Sequence, residues 1–256
     1  MKKIFAATPG LVDRPTHYCP GCTHGIIHRM VAEAIDELGL RERTVGIAPV
    51  GCAVLAYEYF NCDMFEASHG RAPAVATGAK RSRPDLILFT YQGDGDLASI
   101  GMAEIVHAAN RGERITVIFV NNAVYGMTGG QMAPTTMPGQ YTTTTPSGRD
   151  ASDIGYPTRM AEILATLTTP GFIARVSTHS PREIIRAKAV IREAFWYQKN
   201  DVCFSFVECL SICPTNWGQS PRESEKWLEQ NMVPYYPLGI KKRPEEFRED
   251  WKDAGH

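Results

Sequence analysis

Three short runs in this chain, residues 44–49, 86–91 and 115–120, are apolar at nearly every position. A strand with one wet face alternates apolar and polar residues. Unbroken runs therefore predict strands buried on both faces, as in a parallel sheet covered by helices on both sides. The intervening segments read as helices. Over residues 25–38, Ile26, Ile27, Met30, Val31, Ala34, Ile35 and Leu38 fall on one helical stripe, and Gly39 ends it. Residues 97–110 read as a second helix, ended by Gly112. Further on, the pattern predicts a helix over 158–167, a strand over 171–176, and a helix opened by Ser180-Pro181-Arg182-Glu183. There Ser180 caps, Glu183 reciprocates, and the missing N–H of Pro181 does no harm. A last strand is expected over 202–210. This alternation defines an α/β fold.

The stretch from about Met127 to Asp150 is rich in Gly, Thr and Pro, and a loop of that length usually serves a site. From Pro214 onward the character changes. Trp217, Trp227, Tyr235, Tyr236 and Trp251 are scattered among Pro and charge, too aromatic a mixture for a disordered tail. Residues 1–214 are read as one domain, and residues 215–256 as an extension that packs on it or on a partner subunit.

The chain has 256 residues, 43% hydrophobic and 21% charged, with a formal net charge of -1. Such a balance offers no global field for nucleic acid or a membrane surface, and no run of eighteen apolar residues is present. The first seven residues, Met1 to Ala7, carry too short an apolar run before Pro9 to serve as an export signal. A cytoplasmic location is expected. With seven cysteines and no such signal, metal ligation or burial is expected rather than a disulfide framework.

Four segments follow strands or open helices, where ligands gather in an open parallel sheet. Gly51-Cys52 follows the first strand, Gly93-Asp94-Gly95-Asp96 the second, Asn121-Asn122 the third, and Cys213 the last. Glycines let backbone approach an anion, and the helix starting near Leu97 turns its positive end toward the same place. Asp94 and Asn122 offer hard oxygens to Mg²⁺, which completes its shell with phosphate oxygens and water. The bland alternative is a pair of ordinary turns in any α/β protein. The 25 residues from 96 to 120 fit one helix and one strand between the motifs, which argues against that alternative.

Cys19-x-x-Cys22 opens a helix, and both Cys19 and Cys213 precede a proline. Iron–sulfur sites often use such a pair with a remote Cys-Pro, and Cys52 and Cys213 lie at strand ends where they can join it. A zinc site more often has two short-spaced pairs. Free buried cysteines are the other alternative, and Cys62, Cys203 and Cys209 are read that way. Cys203 and Cys209 share one face by their even spacing. His69-Gly70-Arg71 precedes a helix of small residues. An imidazole and a guanidinium there can meet a diphosphate or a substrate carboxylate, or merely cap and pack. His24 is a cofactor contact or a cap. His17, His28, His107 and His179 are read as structural.

Gly93-Asp94-Gly95, about 25 residues, then Asn121-Asn122 resembles the thiamine diphosphate signature. The text from Val120 to Gln131, Cys19-Pro20-Gly21-Cys22-Thr23-His24-Gly25, Gly51-Cys52 and His69 to Gly78 resembles the β subunit of 2-oxoacid:ferredoxin oxidoreductases, over about residues 15–215. The resemblance implies a thiamine diphosphate-binding fold, with Mg²⁺ held by Asp94, Asn122 and the backbone carbonyl of Val124. It implies a [4Fe-4S] cluster on Cys19, Cys22, Cys52 and Cys213. The expected cofactor-site residues are Gly51, Cys52, His69, Gly93, Asp94, Gly95, Asp96, Asn122, Tyr125, Gly126 and Thr128, with His69 as the catalytic candidate. The implied reaction converts a 2-oxo acid and coenzyme A to acyl-CoA, CO₂ and reduced ferredoxin. It needs α and further γ or δ subunits, one of which supplies the glutamate that activates thiamine. Ala53-Val54-Leu55 lacks the basic residue that some dicarboxylate-specific members carry near there, and the run from Ala56 to Met64 is most like the branched-chain, 2-oxoisovalerate members. The alternatives are a non-oxidative thiamine-dependent decarboxylase or carboligase, the same enzyme class acting on 2-oxoglutarate or pyruvate, and a nucleotide-binding module. The chain has neither the Gly-x₄-Gly-Lys-Ser/Thr nor the Gly-x-Gly-x-x-Gly pattern of the last.

Overall fold

The computed structural model describes residues 6–169 and 171–244. Met1 to Phe5 and Trp251 lie outside the described residues. In chain order the elements are α1 (His24–Glu37), β1 (Thr44–Ala48), β2 (Asp63–Glu66), α2 (Ala72–Ser82), β3 (Ile87–Gly93), α3 (Met102–Asn110), β4 (Thr116–Asn121), α4 (Ala151–Ile154), α5 (Met160–Ala165) and β5 (Gly171–Ser177). They continue with α6 (Pro181–Lys199), β6 (Phe204–Leu210), α7 (Pro214–Trp217), α8 (Pro221–Trp227), α9 (Val233–Tyr235) and β7 (Gly239–Lys242).

The strands form one sheet in the order β2-β1-β3-β4-β6-β5-β7. All pairs are parallel except β5 with β7. Alternation along each strand divides the core in two. Phe89 and Tyr91 of β3, Ile118 and Val120 of β4, and Val207 and Cys209 of β6 face α1 and α6. Leu88, Val117, Phe119 and Phe206 face α2, α3 and α5. Both faces are dry, which explains the unbroken apolar runs. β1, β3, β4 and β6 are consecutive neighbours, so the four segments that follow them emerge side by side at one edge of the sheet.

Several local expectations are corrected. The helix expected over 97–110 begins as a π-helical turn, Asp96–Ile100, because the Gly101 N–H donates to the Asp96 carbonyl at 2.9 Å, five residues back. Ser180 does cap α6, accepting from the Glu183 N–H. Glu183 does not reciprocate, because its carboxylate takes Arg186 at 2.6 Å. The reciprocal box lies instead at Ser220 and Glu223, at the start of α8. Cys203 sits one residue before β6, although it and Cys209 are both buried in the same core. Cys62 is half-buried against Met64.

The 127–150 stretch has little regular structure, yet it is tied down. Arg149, 5% exposed, donates to the carbonyls of Ala133, Pro134, Thr136 and Gly155. The segment after Pro214 covers this loop. Leu228, Met232 and Tyr236 pack with Ala123 and Met137, and the Tyr236 hydroxyl donates to the Thr135 carbonyl at 2.9 Å. Below them, Arg175 is fully buried against Glu208, also fully buried, and Glu162. Glu208 in turn accepts from Asn121 Nδ2 at 2.8 Å. Removing the cation leaves a buried carboxylate without a counter-charge. We expect Arg175→Met to lose about 3–5 kcal/mol of stability in urea unfolding near neutral pH. A loss below about 1 kcal/mol would show that Glu208 is compensated by other groups.

Candidate functional site

The cavity at the carboxyl edge of the sheet measures about 140 Å³. All the cofactor-site candidates named from the sequence, from Gly51 and Cys52 through His69 and Asp94 to Thr128, line it, and so does Val124. At its floor one backbone N–H, that of Val124, donates to two side-chain oxygens, Asp94 Oδ2 at 3.2 Å and Asn122 Oδ1 at 3.3 Å. The two oxygens therefore stand side by side, one from the end of β3 and one from the end of β4. The turn after β4 is held in shape from below. Asn121 Oδ1 accepts from the Ala123 N–H, and Ala123 adopts a left-handed φ of 59°.

Asp94 accepts two further donors, the Thr135 hydroxyl at 2.8 Å and the Gly95 N–H at 2.9 Å. They do not cancel the cost of burial, which pushes its carboxyl up to about 6. Tyr125 lies over Gly95 so closely that a Cβ there would sit 2.0 Å from the ring. Trp217 closes the back of the site, its indole N–H donating to the Asn122 carbonyl at 3.2 Å.

Asp96 has a different occupation. Its carboxylate accepts from His69 Nδ1 at 2.5 Å, the Gly70 N–H at 2.8 Å, the Val50 N–H at 3.3 Å and Gln92 Nε2 at 2.6 Å. It is a clasp for the loops after β1 and β2, and its lone pairs are taken. Accepting from Nδ1–H, it leaves Nε2 as the free nitrogen of His69. Arg71 does not join the site and pairs instead with Glu104. Thr128 is exposed, with its hydroxyl on Gln131. Leu55 is not among the residues that line the cavity.

A second cavity, about 220 Å³, is lined by Cys19, Cys22, Cys52 and Cys213 together. Among the described residues no group of three or more His, Cys, Asp or Glu closes tightly enough to hold a metal ion, so these thiols form a spaced rim. Burial pushes Cys22 up to about 11 and Cys52 up to about 12, and neighbouring thiols add to the shift. His17 and His24 line this cavity too, and Tyr18 stacks on His24. His24 opens α1 with Nδ1 2.8 Å from the Tyr91 hydroxyl, and burial pulls its imidazole down to about 3. His24, Cys52, Asn122, Gly126 and Met127 line both cavities and form their common wall.

Sequence reasoning missed Thr135, Gln92, Trp217 and Arg149. None carries a periodic or motif signal; each is recognisable only by what it touches.

Residues 49–209 match the family model for the thiamine pyrophosphate enzyme, C-terminal TPP binding domain. Ketoisovalerate oxidoreductase subunit VorA of Methanothermobacter thermautotrophicus is 52% identical over 92% of this chain and 49% of its own length. The 2-oxoglutarate synthase subunit KorB of Methanocaldococcus jannaschii is 37% identical over 86% of this chain and 80% of its own length. The solved 2-oxoglutarate:ferredoxin oxidoreductase from Magnetococcus marinus, with 2-oxoglutarate, coenzyme A and succinyl-CoA bound, aligns with a TM-score of 0.77 at 25% identity, over 99% of this chain and 92% of that one. The chain spans about half the length of VorA.

The raised carboxyl of Asp94 has a measurable consequence. Its folded value, about 6, lies above its ordinary value of 3.8. The charge therefore costs nothing at pH below the ordinary value and its full amount above the folded one. Relative to the unsubstituted chain, Asp94→Asn should gain up to about 3 kcal/mol of stability between about pH 4 and about pH 7 without added cofactor. Thermal unfolding across that range checks this, and a constant difference would contradict it.

Proposed function

This chain belongs to the thiamine pyrophosphate-binding subunits of the 2-oxoacid oxidoreductases, and from that premise we propose that it serves the oxidative decarboxylation of a 2-oxo acid with coenzyme A to acyl-CoA, CO₂ and reduced ferredoxin. The observation that carries this reading is the single N–H shared by Asp94 Oδ2 and Asn122 Oδ1. Two buried hard oxygens side by side suit Mg²⁺, which keeps the rest of its shell for phosphate oxygens and water. Asp94 and Asn122 hold the cation by their side chains, and Val124 by its backbone carbonyl. The charge that burial makes costly in Asp94 is relieved when a cation binds. Gly51 and Gly93, where an added Cβ would meet nothing within 4 Å, keep the wall free of side chains where a diphosphate enters. Tyr125 and Thr128 border the same entrance. Thiamine diphosphate, when bound, supplies the electron sink for decarboxylation. The clasp of Asp96 orients His69 so that its Nε2 can hold or give a proton at the substrate carboxylate or the diphosphate.

Cys19, Cys22, Cys52 and Cys213 hold a [4Fe-4S] cluster in this reading. All four line one cavity, and one short-spaced pair with a remote Cys-Pro suits an iron–sulfur site, where a zinc site more often has two short-spaced pairs. In this reading the wall shared with the cofactor cavity would keep electron donor and acceptor adjacent.

Among the described residues, those that line the cofactor cavity include Asp94, Asp96, His24 and His69 but no lysine or arginine. Nothing there pairs a second carboxylate, so the preferred substrate is an aliphatic, branched-chain 2-oxo acid such as 2-oxoisovalerate. The ketoisovalerate relatives support this choice. The activity belongs to an assembly with α and further γ or δ subunits, one of which provides the glutamate that activates thiamine. Of the extension read over residues 215–256, the described part, through residue 244, braces the long loop.

Anaerobic purification of this chain with its partners tests the reading. We expect bound thiamine diphosphate, about four iron and four sulfide in this chain, and a higher kcat/KM for 2-oxoisovalerate than for 2-oxoglutarate. The chain alone, with Mg²⁺ and thiamine diphosphate, should release no CO₂. CO₂ release by the chain alone, or full turnover without iron, would contradict the oxidoreductase reading. A preference for 2-oxoglutarate would overturn the substrate choice alone.

A further inference from the structure

Asn216 lies three residues beyond Cys213, in the short helix α7, and its side-chain amide faces two groups at once. Its Nδ2 is 3.0 Å from the Gly126 carbonyl oxygen and 3.2 Å from Cys213 Sγ. The carbonyl can only accept, so the nitrogen end of the amide must face it, and the second N–H is left for the sulfur. The oxygen end packs against Gly130, where a Cβ would lie 2.9 Å from Oδ1. The Asn216 backbone N–H is directed at the same sulfur. Cys22, by comparison, draws a backbone N–H from His24. Gly126 itself is wedged between the cysteines, since a Cβ there would sit 2.9 Å from Cys52 Sγ and 3.7 Å from Cys213 Sγ.

We propose that Asn216 is a positioning residue that raises the reduction potential of the cluster on Cys19, Cys22, Cys52 and Cys213, by donating its amide N–H to Cys213, while pinning the Gly126 wall between the two cavities. The inference rests on the cluster reading of those four cysteines. A ligand thiolate carries negative charge, and reduction adds one electron to the iron–sulfide core with no bond made or broken. A hydrogen-bond donor aimed at the sulfur stabilises the more negative, reduced state more than the oxidised one. The same amide is anchored on the Gly126 carbonyl, so the donor is held in place by the wall it supports.

The test is an anaerobic redox titration of the assembled complex followed by electron paramagnetic resonance, reading the signal that disappears in Cys52→Ser. Asn216→Leu removes both donated bonds at similar size. Its cluster should become harder to reduce, the equilibrium constant falling about tenfold, which is about 59 mV for one electron. An unchanged potential in Asn216→Leu with its iron and sulfide retained would overturn the inference and leave the cluster reading standing. A complex whose chain carries no iron would overturn both. If Asn216→Leu fails to assemble a cluster, pulsed resonance on the unsubstituted complex labelled with asparagine carrying ¹⁵N only in its side-chain amide decides. A nitrogen coupling to the reduced cluster supports the bond, and no coupling refutes it.

Discussion

A carboxylate buried at the end of a central strand must be surrounded by donors, and much of this molecule is arranged to surround Asp94. The Val124 N–H comes from the turn after the neighbouring strand, the Gly95 N–H from its own loop, and the Thr135 hydroxyl from the long loop that crosses above. That loop would be a costly way to place one hydroxyl if it moved freely. Arg149 gathers three of its carbonyls from within and that of Gly155 beyond it, and Tyr236 holds the carbonyl of Thr135 from the C-terminal segment. One buried charge thus links β3, β4, the 127–150 loop and the segment after Pro214. Two residues on, Asp96 does the same for the loops after β1 and β2. Asp94 accepts from three donors, while Asp96 accepts from four.

The cysteine cavity follows a different electrostatic logic. Tyr18, Tyr59, Tyr91, His24 and His28 form a contiguous aromatic group beside it, and burial keeps His24 neutral. In these dry surroundings the thiols of Cys22 and Cys52 hold their protons at neutral pH. A metal that takes them as thiolates must expel those protons, so assembly of any metal centre here is coupled to pH and favoured as pH rises. Hydrogen bonds to sulfur, such as the one from Asn216, then partly replace the hydration that the thiolates lose.

What was legible in the sequence follows from periodicity and from spacing. The runs over 86–91 and 115–120 announced strands dry on both faces because burial acts on every residue of a central strand. Asp94 and Asn122 could be placed together because a strand end fixes where the next residue emerges, and neighbouring strands put those ends side by side. The π-helical turn at Asp96–Ile100 left no trace in the pattern, since it depends on one N–H reaching back five residues. β2 and β7 are short edge strands with exposed or half-buried residues, so neither carries the apolar signal. The sequence left Arg71 open between a ligand contact and a packing role, because a guanidinium reaches as easily toward Glu104 on α3 as toward the cavity. Thr135 stands among many similar threonines, and what marks it is a partner 41 residues away.

The central claim is that Asp94 and Asn122 jointly grip a divalent cation. Mn²⁺ replaces Mg²⁺ in oxygen-ligated sites and gives an anomalous X-ray signal. Crystals of the assembled complex grown with Mn²⁺ and thiamine diphosphate should show one anomalous peak within about 2.3 Å of both side-chain oxygens, close to the short distances of a hard octahedral site. A peak bound to neither oxygen, or none at all with thiamine diphosphate clearly in place, would contradict the account.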